Sequence, residues 1–135
     1  METKLLNKIN LISRFALAFV FFYHGLVPKI LWLSPIEEAL NVAHNLNPNI
    51  ISPIAGAFEI LLALSIIVFR KTLIPIYIAV FSLVVLLLDV ALIMPSLLIE
   101  AFNPVSINLV CIVLGYFVYL THPQIVKHNI DSNNF

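Results

Sequence analysis

Residues 11–33 read LISRFALAFVFFYHGLVPKILWL, and this run decides the fold. As a helix it is long enough to cross a bilayer, which takes about 20 apolar residues. Within it, Tyr23-His24-Gly25-Leu26-Val27-Pro28-Lys29 places an imidazole, a glycine, a proline and an ammonium where hydrocarbon is expected. Titratable groups at membrane depth are costly unless a protein partner or a watered cavity receives them. The rest of the chain therefore has to supply that partner.

The chain has 135 residues, of which 61% are hydrophobic and 10% charged, and its mean hydropathy of +1.06 marks a membrane protein. Its formal net charge is zero, with no basic cluster, which excludes a nucleic-acid footprint and recognition of anionic headgroups by a polybasic patch. Cys111, the one cysteine, lies in an apolar run. That excludes a disulfide within the chain, a redox cysteine pair and a thiolate metal cluster. Lys4 and Lys8 precede a long apolar run without a small-residue cleavage site, so the first helix is expected to be retained as an anchor.

Four spans follow: about 11–33, 50–69, 73–99 and 104–121, forming one domain over residues 1–135. Each is helical because its backbone groups find no water in the bilayer and must bond within the segment. The expected class is all-α, a polytopic membrane protein built as an antiparallel four-helix transmembrane bundle. Pro28 removes a backbone bond near His24 and predicts a kink. Ile36 to Leu46 is expected to form a short amphipathic turn at the surface, after Trp32 in the aromatic belt. Asn103 suits an N-cap and Pro104 the first helical position of the last span. That span ends at His122-Pro123, and the tail from Gln124 to Phe135 is polar and expected to fray.

Lys4, Lys8, Arg70, Lys71 and Lys127 fall at one end of this arrangement, and Glu37, Glu38 and Glu100 at the other. By the positive-inside rule both termini are expected in the cytoplasm of a bacterial inner membrane. The same bias disfavours a dual-topology multidrug transporter.

Stacking the spans at the helical rise puts Glu59 about 15 Å, His24 and Asn108 about 20 Å, Asp89 about 24 Å and Lys29 about 27 Å above the inner edge of the hydrocarbon. A mid-depth polar cluster of His24, Glu59, Asn108 and Asp89 is expected. Glu59 is either a packing carboxyl paired with Arg14 or His24, or a ligand or proton site. Gly56 shares its face, so a neighbouring helix can approach beside it. His24 is either a hydrogen-bonded core histidine or a ligand-binding one. Haem ligation by two histidines is disfavoured, since His122 falls about 20 Å away. Lys29 snorkels to the headgroups or turns inward to Asp89 or Glu37. Arg14 snorkels at the other end, or pairs with Asp131 or a lipid phosphate. Asn103 and Asn108 are explained by capping and packing, or join the site.

His24-Gly25-Leu26-Val27-Pro28-Lys29, Glu37, Gly56-Ala57-Phe58-Glu59, Pro95-Ser96 and Phe102-Asn103-Pro104-Val105-Ser106-Ile107-Asn108 together resemble the DoxX-like family of small four-helix bacterial membrane proteins. The resemblance covers nearly the whole chain. It implies a bundle whose motif residues line one interior site on the non-cytoplasmic half, with His24, Lys29, Glu59, Asp89, Asn103 and Asn108 as ligand-binding candidates. The family name derives from a membrane subunit of a thiosulfate:quinone oxidoreductase. The expected function is thus a redox-associated subunit binding a quinone or a small anion, not catalytic by itself, with a membrane or redox-enzyme partner. Two other readings stand beside it: a structural or assembly partner of another membrane protein, and a small transporter or proton pathway using Glu59 and Asp89. The last is weakened because no inverted repeat is detectable.

Overall fold

A computed structural model describes the backbone of residues 2–132 and the side chains of residues 3–122. The described residues form five α-helices: α1 (Glu2–Leu26), α2 (Pro35–Ala43), α3 (Pro48–Val68), α4 (Ile74–Ile93) and α5 (Pro104–Ser132). Four stretches, Thr3–Leu31, Pro48–Val68, Ile74–Ile93 and Pro104–His122, are long and apolar enough to cross a membrane. No strand occurs among the described residues. This is an all-α, membrane-type bundle, and its lipid-facing surface carries Phe19, Leu61, Phe81, Leu92 and Leu109, all exposed.

The prolines set most boundaries. Pro35, Pro48, Pro75 and Pro104 each fall at the start of a helix, where their missing N–H would be unpaired anyway. Pro28 falls inside one instead. There α1 widens into a π-helical turn, Val27–Leu31, in which the Trp32 N–H bonds back to the Val27 carbonyl at 3.0 Å. The kink expected at Pro28 takes the form of this wider turn, because proline cannot donate to the carbonyl one turn back. Pro95 corrects the expected third span. Helix α4 stops at Ile93, and Pro95–Ile99 is a separate 3₁₀ turn. The short surface helix expected after Trp32 is α2, capped by the Ser34 hydroxyl, which accepts from the Glu37 N–H at 3.2 Å. At the other end, α5 continues as helix past His122-Pro123 to Ser132, beyond the expected stop. The side chains of Lys127 and Asp131 lie outside the described residues, as do Asn133 to Phe135.

The contacts between α1 and α3 run in opposite senses along the two helices. Arg14 of α1 meets Ile66 of α3, whereas Gly25 meets Gly56. Asn10 of α1 meets Val118 and Thr121 of α5. The core lies nearer the chain termini, where Leu17, Ile66, Ile76, Ala79, Cys111 and Val118 are fully buried against one another.

Arg14 corrects a second expectation. It does not snorkel, being 0% exposed, and the expected pairing with Asp131 lies outside the described residues. Its Nε donates to Asn10 Oδ1 at 3.0 Å, Nη1 to the Ile66 carbonyl at 2.8 Å, and Nη2 to the carbonyls of Arg70 and Thr72 at 3.3 and 3.2 Å. The last turn of a helix leaves carbonyls without partners. Arg14 satisfies those at the end of α3 and in the turn that follows, joining α1 to both.

Candidate functional site

The site begins with a glycine contact. A β-carbon on Gly25 would lie 2.6 Å from the Gly56 carbonyl oxygen and 2.9 Å from the Glu59 β-carbon. One on Gly56 would overlap the Gly25 carbonyl in turn. The backbones of α1 and α3 thus touch, as small residues permit when helices pack in a membrane. Lys29 follows Gly25 by one turn, and Glu59 follows Gly56 by just under one, so each charged side chain stands beside the crossing. The close approach is what lets them meet.

Lys29 Nζ lies 2.5 Å from Glu59 Oε1 and 3.4 Å from Glu37 Oε1. Lysine 29 is only 7% exposed. It does not snorkel, and of the inward partners expected for it, Glu37 is found and Asp89 is not. Glu59 in turn pairs with neither Arg14 nor His24. Its second oxygen, Oε2, is buried with no hydrogen-bond partner among the described residues. Helix α2 brings Glu37 into place and is itself pinned by Asn41, whose Nδ2 donates to the Ser52 hydroxyl at 3.0 Å and the Glu37 carbonyl at 2.8 Å.

Beside this triad lies a cavity of about 220 Å³. Val20, Phe21, Leu83, Leu86, Val90 and Leu97 contribute to its apolar walls, while His24, Lys29, Glu37, Glu59, Asn103 and Asn108 bring polar groups to it. Five of the six residues singled out from the sequence therefore border one space. They differ in what they have left to offer. Asn103 is committed to its cap, with Oδ1 accepting from the Ser106 N–H at 2.9 Å and Nδ2 donating to the Glu100 carbonyl at 3.0 Å. Asn108 is buried and makes one long bond, 3.4 Å, to the Leu83 carbonyl. His24 has no hydrogen-bond partner among the described residues, is exposed, and borders the cavity. The expected contact between His24 and Glu59 does not form: Lys29 takes one carboxylate oxygen, and the other has no partner among the described residues.

Asp89 stands apart. It pairs with His44 Nε2 at 3.0 Å, joining α2 to α4 at the edge of the bundle. A second cavity there is lined by Asp89, His44, Asn41 and Ser82, and also by Lys29, Glu37 and Glu59. The ion triad is thus a wall shared by two spaces, with His24 and Asn108 on one side and Asp89 on the other. Among the described residues no three His, Cys, Asp or Glu side chains converge as metal ligands.

Several members of the site escape a reading of sequence. The hydrophobic walls cannot be told from ordinary core positions, since leucine and valine occupy both. Gly25 had a signal: on each of two spans a glycine precedes a charged residue by about one turn, Gly25 before Lys29 and Gly56 before Glu59.

A family model described as the DoxX-like family matches residues 18–116. This chain belongs to the DoxX-like family. The match includes every residue of the triad, His24, Asp89, both asparagines and the glycine contact, and leaves out Arg14 and Thr121 of the opposite end. No curated protein and no solved structure matches the chain. As a DoxX-like member with four apolar helices, it is a multi-pass membrane protein with a lipid bilayer as its surroundings.

Proposed function

We propose that this protein is a redox-associated membrane subunit whose cavity takes the headgroup of a quinone-like ligand. The observation that carries the reading is the make-up of that cavity: apolar walls of Phe21, Leu83, Leu86 and Val90 are joined by a few polar groups, with the His24 imidazole uncommitted. Ligand pockets typically combine apolar walls with a few placed polar groups in this way. A quinone presents a flat apolar ring and carbonyl oxygens. His24 would donate to one of those oxygens and the Asn108 amide would serve the other side. The unpartnered Glu59 Oε2 is the natural place for a proton to reside. Bound there, a quinone would supply two-electron redox chemistry that the chain's own residues lack, so a partner enzyme is required to exchange the electrons.

A small anion fits less well. Lys29 is already shared between Glu59 and Glu37, and Glu100 also borders the cavity, so an anion would meet more carboxylates than free cations. The orientation belonging to this reading puts both termini in the cytoplasm of a bacterial inner membrane. Lys4, Lys8, Arg70 and Lys71 support it, with Arg70 reaching Asn7 at 3.4 Å at the end of the bundle that holds the N-terminus.

The test is thermal stability of the purified protein in detergent. A benzoquinone should raise the melting temperature, and thiosulfate or sulfite should not. No shift with any quinone would retire the reading. A second reading, an assembly partner of another membrane protein, is favoured by the seating of the triad on the Gly25–Gly56 contact, where it also fastens the bundle. A stoichiometric protein co-purifying from native membrane, together with no quinone shift, would favour that one.

A further inference from the structure

A groove runs between α1 and α5 on the flank of the cavity, lined by Phe19, Tyr23, Ser106, Val110 and Cys111 among others. It shares Val20, His24 and Ile107 with the cavity, so the two spaces are neighbours across the His24 side chain. Of the groove residues only His24, Ser106 and Tyr23 carry a polar side-chain group, and Phe19, Tyr23 and Val110 are exposed on the lipid-facing surface. The cavity behind the ion triad also reaches lipid-facing residues, Phe58, Phe81 and Val85, but at a greater cost in charge. Lys29, Glu37, His44, Glu59 and Asp89 all border it, and hydrocarbon laid there would strip water from charged groups.

We propose that the ligand of the cavity carries a hydrocarbon tail and enters sideways from the bilayer, its tail lying in the α1–α5 groove with His24 at the threshold. This rests on the quinone reading and narrows it to membrane-resident, tailed molecules. The cavity and groove divide the work by polarity. Polar groups are gathered on the inner side of His24 and apolar ones on the outer side, which matches a molecule with a polar head and an apolar chain. Moving the tail from lipid into a protein groove changes little hydrophobic energy, since both surroundings are apolar. The groove therefore selects by shape and by position, while the headgroup sets affinity.

The test uses the full-length protein in lipid nanodiscs and a decyl-tailed benzoquinone with an aliphatic diazirine in the tail. After irradiation, labelled residues are mapped by mass spectrometry, with and without excess of the same headgroup lacking a tail. Labelling at Phe19, Tyr23 and Val110 that the tailless headgroup competes away supports the proposal. Val110→Trp fills the groove at an exposed position without a polar partner, and should abolish the competed labelling while leaving the melting temperature and the response to the tailless quinone unchanged. Competed labelling on Phe58, Phe81 or Val85 instead overturns the groove but keeps the quinone reading. Labelling spread over the lipid-facing surface and indifferent to the competitor reports an ordinary annular lipid, and overturns both.

Discussion

Arg14 and Lys29 are both buried cations on the first span, and the chain treats them in opposite ways. Arg14 makes four hydrogen bonds, to the Asn10 side chain and the carbonyls of Ile66, Arg70 and Thr72. Asn10 completes the arrangement by reaching the Thr121 hydroxyl at 2.7 Å and the Val118 carbonyl at 3.1 Å. Lys29 meets two carboxylates, leaves one carboxylate oxygen without a partner, and borders cavities on two sides. Burying polar groups is tolerable when every one is bonded. The Arg14 end meets that condition and reads as architecture. The Lys29 end leaves capacity unused beside open space, which is how a binding site differs from a rivet.

The largest effect is expected from breaking the complete end. Arg14→Met would orphan three carbonyls and the Asn10 oxygen, lowering stability by about 4 kcal/mol, since each unsatisfied buried group costs about 1–3 kcal/mol. Chemical denaturation in mixed micelles measures it, and a loss under about 1 kcal/mol would show that water replaces the guanidinium. Next comes the ion pair. Glu59→Leu alone should cost about 3 kcal/mol by leaving Lys29 with only the more distant Glu37, whereas Glu59→Leu combined with Lys29→Met should recover most of that loss. A double-variant loss equal to the sum of the two single-variant losses would mean that the pair is not coupled.

Gly25→Ala should cost about 2 kcal/mol, because the added carbon meets backbone 2.6 Å away and the helices must part. The same variant should weaken quinone binding by separating Lys29 from Glu59. A thermal-shift series reads both, and an unchanged melting temperature would show that α1 and α3 do not cross so closely. His24→Ala is the smallest in stability, within about 0.5 kcal/mol, as it breaks no hydrogen bond among the described residues. Its quinone-induced shift should vanish. If stability falls sharply instead, His24 belongs with Arg14 and the contrast between the two ends fails.

How much of this was legible beforehand divides along the same line. Helix number and type follow from apolar runs and proline positions, which act locally: Asn103 caps α5, and Ser34-Pro35 opens α2. The third span was read too long because Pro95 lies in a run apolar on both sides, where hydropathy gives no stop. Which charges pair depends on helix rotation, and a one-residue change in register turns a helix by about 100°. The π-helical turn at Val27–Leu31 is such a change. Estimated depth alone set Lys29 far above Glu59 and His24 close to it, while the observed pairing is Lys29 with Glu59. The partners of Arg14 are hidden from the sequence because three of its four acceptors are main-chain carbonyls, which every residue has and no side-chain identity advertises.

The glycine contact also fixes where the bundle can yield. With α1 and α3 pressed main chain to main chain, a guest has to be admitted along another seam, and the α1–α5 groove beside His24 is one that opens toward lipid. One seam is welded and the other is laced, and the laced one faces the lipid.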